Sequence, residues 1–191
     1  MQLKMYLELK PAEFPKPFGS VTYRTYDGTR KDRLDWLEIC KDGLVGDKDG
    51  EEKFNSSFYG KPDFIDSDLY FIFDGGEPVA TICGIYEKDS GHGYVHMVSV
   101  RKSARGKGLG DYINKIIIAH LSLYPCKIVY LKTDEWRVPA IRSYLKSGFL
   151  PVDCDDDMEG RWVKWLTEQG YKNIPLLDEQ GGVKKLLCTK D

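Results

Sequence analysis

No Cys-x-x-Cys pair occurs in this chain. Its five cysteines, Cys40, Cys83, Cys126, Cys154 and Cys188, are odd in number and widely scattered, which speaks against both a disulfide framework and a structural zinc site and leaves free thiols as the expectation. Nor is there a long apolar run: nothing approaches the ~18 consecutive apolar residues of a membrane span. The opening MQLKMYLELK is too charged, and its apolar stretch too short, for a secretory leader. Charge of one sign is also missing, since 28 Lys and Arg face 30 Asp and Glu for a net charge of -2. A general nucleic-acid binder would carry a basic excess. With no internal repeat or low-complexity tract, the 191 residues, 41% of them hydrophobic, suit one folded domain spanning 1–191. A soluble cytoplasmic protein is expected.

Glycine is plentiful, and its placement matters most between Val100 and Gly110, VRKSARGKGLG. Gly106, Gly108 and Gly110 alternate, so the backbone can turn tightly and bring successive N–H groups onto one small surface. Leu109, Ile113, Ile116, Ile117 and Leu121 follow at helical spacing, which places the loop at a helix N-terminus. Free amides and the positive end of the helix dipole favour an anion there, and Arg101, Lys102, Arg105 and Lys107 add cations. A phosphate or pyrophosphate is the ligand this stretch predicts. A Walker A loop does not fit, because Gly106-Lys107 is followed by Gly108 rather than Ser or Thr. A dinucleotide GxGxxG does not fit either, the spacing here being GxGxG.

Arg105-x-x-Gly108-x-Gly110, preceded by a strand ending in Val100, matches the (Q/R)xxGx(G/A) loop of the GCN5-related N-acetyltransferase (GNAT) superfamily. Further on, Arg137 to Phe149, RVPAIRSYLKSGF, resembles that family's second motif, NxxAxxxYxxxGF, with Ala140, Tyr144, Gly148 and Phe149 at the matching positions. The resemblance runs from about Leu69 to Val152. It implies a GNAT fold, a mixed, mostly antiparallel twisted α/β sheet of six or seven strands with four or five helices. It also implies acetyl-CoA as co-substrate, with its pyrophosphate on Arg105, Gly106, Lys107, Gly108, Leu109 and Gly110. Arg137 stands where the family usually has Asn, a departure that replaces an amide contact to the cofactor arm with a guanidinium able to reach phosphate.

Along the chain, residues 1–20 read as an extended N-terminal arm, with three prolines between Lys10 and Ser20. Val21 to Tyr26 reads as a strand, Thr29 to Cys40 as a helix and Gly50 to Phe58 as a weaker one. Leu69 to Asp74 and Pro78 to Tyr86 form a hairpin through Gly75-Gly76, and Gly91-His92-Gly93 turns the chain into a strand over Tyr94 to Val100. Lys127 to Lys132 is another strand. Val138 to Ser147 is a helix with Pro139 in its first turn and Gly148 past its end. Residues 153–191 leave the resemblance as a C-terminal extension: the acidic run Asp153 to Glu159, then a helix from Met158 to Gln169 carrying Met158, Trp162, Trp165 and Leu166 on one face. That run is either a solvated loop or an attractor for a cationic amine or metal. By resemblance Phe54, Phe58, Tyr59 and Phe64 are candidate contacts for the acceptor, or aromatics closing a core.

Acetyl transfer to an amine needs a free lone pair, stabilisation of charge on the thioester oxygen, and a proton for the departing thiolate. By resemblance Tyr144 is the acid, and the N–H of Val98 is the oxyanion donor. At that point the strand splays from its neighbour and frees amides of Val98 and Val100 for the pantetheine arm. A phenol of ordinary pKa ~10 is close to matched to a thiol of ~8.5. For the base, period 2 puts Tyr94, His96 and Val98 on one face, and His96 is the choice, some amine acetyltransferases of the family carrying a histidine there. The activity implied is acetyl transfer to a primary amine, small-molecule or peptide, by direct attack in a ternary complex with no metal. The alternatives are a non-catalytic acyl-CoA-binding regulatory module, or an acyltransferase using a longer acyl-CoA. The extra C-terminal helix could pack against a second copy in a homodimer.

Overall fold

A computed structural model describes residues 2–188. The sheet has seven strands in the order β2-β3-β4-β5-β6-β1-β7. They are β1 (Leu3–Glu8), β2 (Val21–Thr25), β3 (Leu69–Asp74), β4 (Glu77–Glu87), β5 (His92–Val100), β6 (Ile128–Thr133) and β7 (Leu150–Pro151). Every pairing is antiparallel except β5 with β6. Five α-helices accompany it: α1 (Arg30–Cys40), α2 (Glu51–Phe58), α3 (Leu109–Leu121), α4 (Val138–Lys146) and α5 (Met158–Glu168). β8 (Ile174–Leu177) and β9 (Val183–Leu187) form a separate hairpin.

The central strand explains how the layers sit. β4 is buried on both faces, as a run of Val, Ala, Thr, Ile and Cys demands. Ala80 and Ile82 join the core that holds α3, α4 and α5, whereas Cys83 and Ile85 join the core of α1 and α2. α3 lies close because β4 carries Gly84, where an added Cβ would stand 2.5 Å from Ile117 Cδ1. Ile113, Ile116, Ile117 and Leu121 of α3 are wholly buried, each worth about 1.5–3 kcal/mol of apolar burial. α1 starts on Thr29, whose hydroxyl accepts the Asp32 amide, and Asp32 in turn takes a bidentate Arg24 guanidinium at 2.6 and 2.7 Å.

Three features differ from expectation. Leu3–Glu8 is not part of an arm but strand β1, inserted between β6 and β7 with Leu3 opposite Thr133 and Glu8 opposite Ile128. Its Leu-x-Met-x-Leu alternation is half of the reason; pairing on both edges supplies the rest. The extended segment is shorter and packs down, with Phe14 stacked on Tyr23 at 6.2 Å and Phe18 against Tyr112 at 4.9 Å. The turn expected over Gly91 to Gly93 falls earlier, since His92 and Gly93 already pair with β4. The hairpin β8–β9 was not anticipated. It meets the acidic run: Lys184 reaches Asp153 at 2.6 Å and Lys185 reaches Glu159 at 2.6 Å, so part of that charge is neutralised within the extension. All five cysteines are free thiols. Among the described residues no helix is long and apolar enough to cross a membrane.

Candidate active site

β5 and β6 pair only at Gly93/Val129, Tyr94/Tyr130 and Val95/Leu131, and then diverge. The gap opens into a cavity of about 980 Å³ bounded by β5, the loop before α3, α3 itself, β6 and α4, the size of a small-ligand site. Of the sequence-selected residues, His96, Val98, Val100, Arg105, Gly106, Gly108, Leu109, Gly110, Arg137 and Tyr144 line it. Lys107 does not. Its ammonium sits on Asp74 at 3.3 Å.

The loop end is built from backbone. Gly106 and Gly108 have φ of 80° and 78°, the left-handed region that favours glycine, and Gly108 caps α3 without a side-chain bond. Among the described residues no protein acceptor takes the amides of Gly106, Lys107 or Gly108, and the first-turn amides of Leu109 and Gly110 have no intrahelical partner by construction. Gly110 serves a different purpose from the turn expected of it: a Cβ there would lie 2.9 Å from Ser143 Oγ. It is the contact glycine that lets α4 approach α3. Of the four cations around the loop only Arg105 faces the cavity, with Nε on the Val100 carbonyl at 3.0 Å and Nη2 on the Asp42 carbonyl at 3.0 Å.

β5 supplies an edge. Arg101 N–H donates to the Val79 carbonyl of β4 at 2.9 Å, so the alternate residues Val98 and Val100 turn their N–H groups away from β4 into the gap. This is the free edge that strand addition needs. The face assignment expected for Val98 is corrected here. Cys83 pairs with His96 and Thr81 with Ser99, so one β4 residue opposes two of β5, and Met97 takes φ of 51°. That bulge reverses the alternation. Tyr94 and Met97 pack toward α1 and α2, while Val98 and Val100 pack toward α3.

Tyr144 is fixed by the end of α4. Gly148 (φ 93°) ends the helix with two reversed bonds, its own amide to the Leu145 carbonyl and the Phe149 amide to the Tyr144 carbonyl, both 3.0 Å. The Phe149 ring meets the Tyr144 ring edge-on at 5.9 Å, so the YxxxGF spelling holds both ends of the tyrosine. From α3, Asn114 Nδ2 donates to Ser143 Oγ at 3.1 Å and Ser147 Oγ at 2.9 Å. Tyr144 is 7% exposed and burial pushes its hydroxyl up to about 12. It therefore holds its proton throughout the neutral range. The gap to an ordinary thiol of ~8.5 becomes about 3.5 units, or ~5 kcal/mol, wider than the near match expected from reference values. A thiolate would take that proton only if the same burial raised its own basicity.

His96 is engaged at both ring nitrogens, Nε2 with the Ser57 carbonyl at 3.0 Å and Nδ1 with the Tyr94 hydroxyl at 3.2 Å. Burial brings its pKa down to about 4. Arg137 also has partners: Nε on Asp134 at 3.2 Å, Nη2 on the Gly43 carbonyl at 2.6 Å, and its guanidinium over Trp136 at 4.4 Å. Gly43 and Trp136, the latter 68% exposed, thus border the mouth. Phe54 and Phe58 are fully buried against Trp36 and belong to the α1–α2 core. Tyr59 is exposed on Asp66, Phe64 packs on Phe58, and none of the four lines the cavity. Asp42, Leu44, Asn114 and Trp136 also line it: Asp42 and Leu44 arrive only through the tertiary approach of the segment after α1, Asn114 stands on α3 and Trp136 just before α4.

A mixed sheet splayed at its one parallel pair, with a glycine loop opening a helix beside the gap, is the arrangement that the sequence resemblance implies. The chain matches the Acetyltransferase (GNAT) family over residues 15–149, and it belongs to that family. It is 40% identical over 67 residues to a probable spermine N(1)-acetyltransferase of Bacillus subtilis subsp. natto, covering 34% of this chain and 44% of that one. Solved structures share the fold, among them two acetyltransferases. The GCN5-related N-acetyltransferase of Sphaerobacter thermophilus aligns with a TM-score of 0.60 at 20% identity over 78% of this chain and 47% of that one. Diaminobutyrate acetyltransferase of Paenibacillus lautus, solved with its substrate and coenzyme A, aligns with a TM-score of 0.55 at 15% identity over 68% and 75%. This chain spans less than half the length of the curated relatives it matches.

Proposed function

We propose that this protein transfers the acetyl group of acetyl-CoA to a primary amine by direct attack within a ternary complex. The observation that carries the reading is convergence: the loop residues before α3, whose amides at Gly106 and Gly108 take no protein acceptor among the described residues, Val98 and Val100 of β5, and Tyr144 all line one cavity. The residues suit the co-substrate in charge and shape. The loop amides of Gly106 to Gly110 hold the diphosphate with Arg105 beside them. The pantetheine amides extend β5, and the thioester oxygen is polarised by the Val98 N–H. Tyr144 hydrogen-bonds the sulfur and gives it a proton as the carbon–sulfur bond breaks.

The acceptor is an amine, by analogy with the spermine and diaminobutyrate enzymes named above; peptide amines remain within the class. Arg137, tied to Gly43 and Asp134, contributes to the roof of the cavity and reaches phosphate only by exchanging those partners. No step calls for a metal, and no nucleic acid, membrane or second subunit is required; the cytosol is the expected compartment. The test is release of CoA thiol from acetyl-CoA across a panel of mono-, di- and polyamines, with CoA binding as control. Turnover with at least one amine is expected. Binding of CoA without turnover on any amine, or faster turnover with longer acyl chains, favours the regulatory module or the longer-chain acyltransferase instead.

A further inference from the structure

We infer that Tyr94, rather than His96, is the group that meets the acceptor's N–H, with His96 acting through it as a positioning residue. The inference rests on the acetyl-transfer reading above and assigns its proton path. Ser57 lies in the last turn of α2, where carbonyls have no intrahelical partner. A carbonyl oxygen only accepts, so the His96 Nε2 facing it at 3.0 Å carries the hydrogen. In the neutral ring Nδ1 is then a bare acceptor, and the group 3.2 Å from it is the Tyr94 hydroxyl. The hydroxyl hydrogen of Tyr94 is thereby directed at His96, and the remaining lone pairs of its oxygen are left to accept.

Position supports the assignment. Tyr94 lines the same cavity as Tyr144 and the glycine loop, and it is the penultimate residue of β5 paired to β6 before the strands part. Its ring is stacked on Tyr130 at 4.7 Å, and Tyr130 is pinned by a 2.8 Å bond to Glu87. Tyr94 also lines a small hollow with Lys61, Asp63, Glu87 and Asp89. His96 itself has no free ring nitrogen to offer.

In the reaction the amine nitrogen bonds the acetyl carbon and the carbon–sulfur bond breaks. One N–H proton passes to Tyr94 Oη while the hydrogen of Tyr94 passes to His96 Nδ1, and Tyr144 gives its proton to the departing thiolate. The imidazolium then returns one proton, through solvent, to the Tyr144 phenolate, and all groups are restored. The nitrogen of the collapsing adduct is far more acidic than an alkylammonium, so a weakly basic imidazole suffices for this late transfer. It does not suffice to deprotonate a bound alkylammonium of reference pKa ~10. The acceptor therefore binds as the neutral amine. Burial is the main cause of both shifts, lowering the His96 pKa and raising that of Tyr94; of the groups facing the pair, the Lys61 ammonium, 5.9 Å from the Tyr94 ring, adds to the first, and Glu87 and the Cys83 thiol add to the second.

The test uses Tyr94→Phe, His96→Asn and the double variant, assayed with an amine the wild type acetylates, alongside CoA affinity by calorimetry. Tyr94→Phe is expected to lower kcat about 100-fold with CoA affinity within about twofold, and the double variant to be no slower than Tyr94→Phe alone. Wild-type kcat/KM should rise with pH along the acceptor's own ionisation, with no limb near 6.5. A kcat for Tyr94→Phe within about threefold of wild type, or a His96→Asn loss that adds fully to it, overturns the assignment. A loss of CoA affinity and turnover together marks a structural tyrosine and overturns it too. A wild type that binds CoA but acetylates no amine overturns the underlying reading and this path with it, a result separable from the others because it needs no variant.

Discussion

The two ends of the cavity are made of different material. At the α3 end the ligand-facing groups are main-chain amides, exposed by Gly106 and Gly108 at positive φ and aligned by the helix that follows. At the β5 end the Val98 and Val100 amides stand beside a relay of two side chains anchored on a main-chain carbonyl, Ser57 carbonyl to His96 to Tyr94, assembled from a helix terminus and a strand separated by 39 positions. The first needs only a local sequence to exist. The second exists only after the sheet and α2 have docked, and it holds because each polar group has one available partner. Substitutions at the two ends should therefore fail in different ways.

Between the ends stands Tyr144, and its loss should have the largest effect. Tyr144→Phe is expected to cut kcat by about 10²–10³-fold with CoA affinity unchanged, read by steady-state thiol release and calorimetry; a fall in affinity instead would mean the hydroxyl serves binding. The side-chain end should also betray itself in acid. His96 is buried neutral with its pKa lowered to about 4, so between the unfolded value of ~6.5 and that point the unfolded chain binds the extra proton. Stability is then lost as pH falls through this window, by up to about 3 kcal/mol, and is unaffected by this group above pH 7. Chemical denaturation at pH 7, 5.5 and 4.5 measures it, and His96→Asn should flatten the curve.

At the backbone end the expected failure is binding. Gly108→Val places a β-branched residue at φ of 78° and should weaken CoA at least about tenfold, with a smaller loss of Tm. Gly110→Ala should do the reverse. Its Cβ presses on Ser143 Oγ, which costs about 1 kcal/mol of stability that Ser143→Ala relieves, as thermal denaturation would show. Lys107→Ala should change least, within about twofold in CoA affinity, because that ammonium is spent on Asp74 at the surface.

The same division decides what could be read from the sequence. The glycine loop, the isoleucine stripe of α3, Pro139 and the Tyr144-to-Phe149 spacing are each local signals, and each leads to the element observed. β1 escaped because six residues of alternation next to a proline-rich stretch do not reveal that both their edges will be paired. The face of Val98 was misjudged because nothing in YVHMVSV announces a bulge; Met97 accepts φ of 51° only because β4 opposes two residues with one. Gly110 had the right identity and the wrong reason, a helix contact being invisible until Ser143 is placed. Histidine at position 96 was visible, but the carbonyl that fixes its tautomer belongs to a helix end whose docking no periodicity encodes.

Calorimetry of the wild-type protein with CoA, 3′-dephospho-CoA and pantetheine tests most directly whether the amides before α3 grasp a diphosphate. CoA and 3′-dephospho-CoA should bind with affinities within about tenfold of each other, and pantetheine, lacking the diphosphate, at least about tenfold more weakly than either. Equal heats and affinities for pantetheine and CoA, or no heat with CoA at all, would contradict the account.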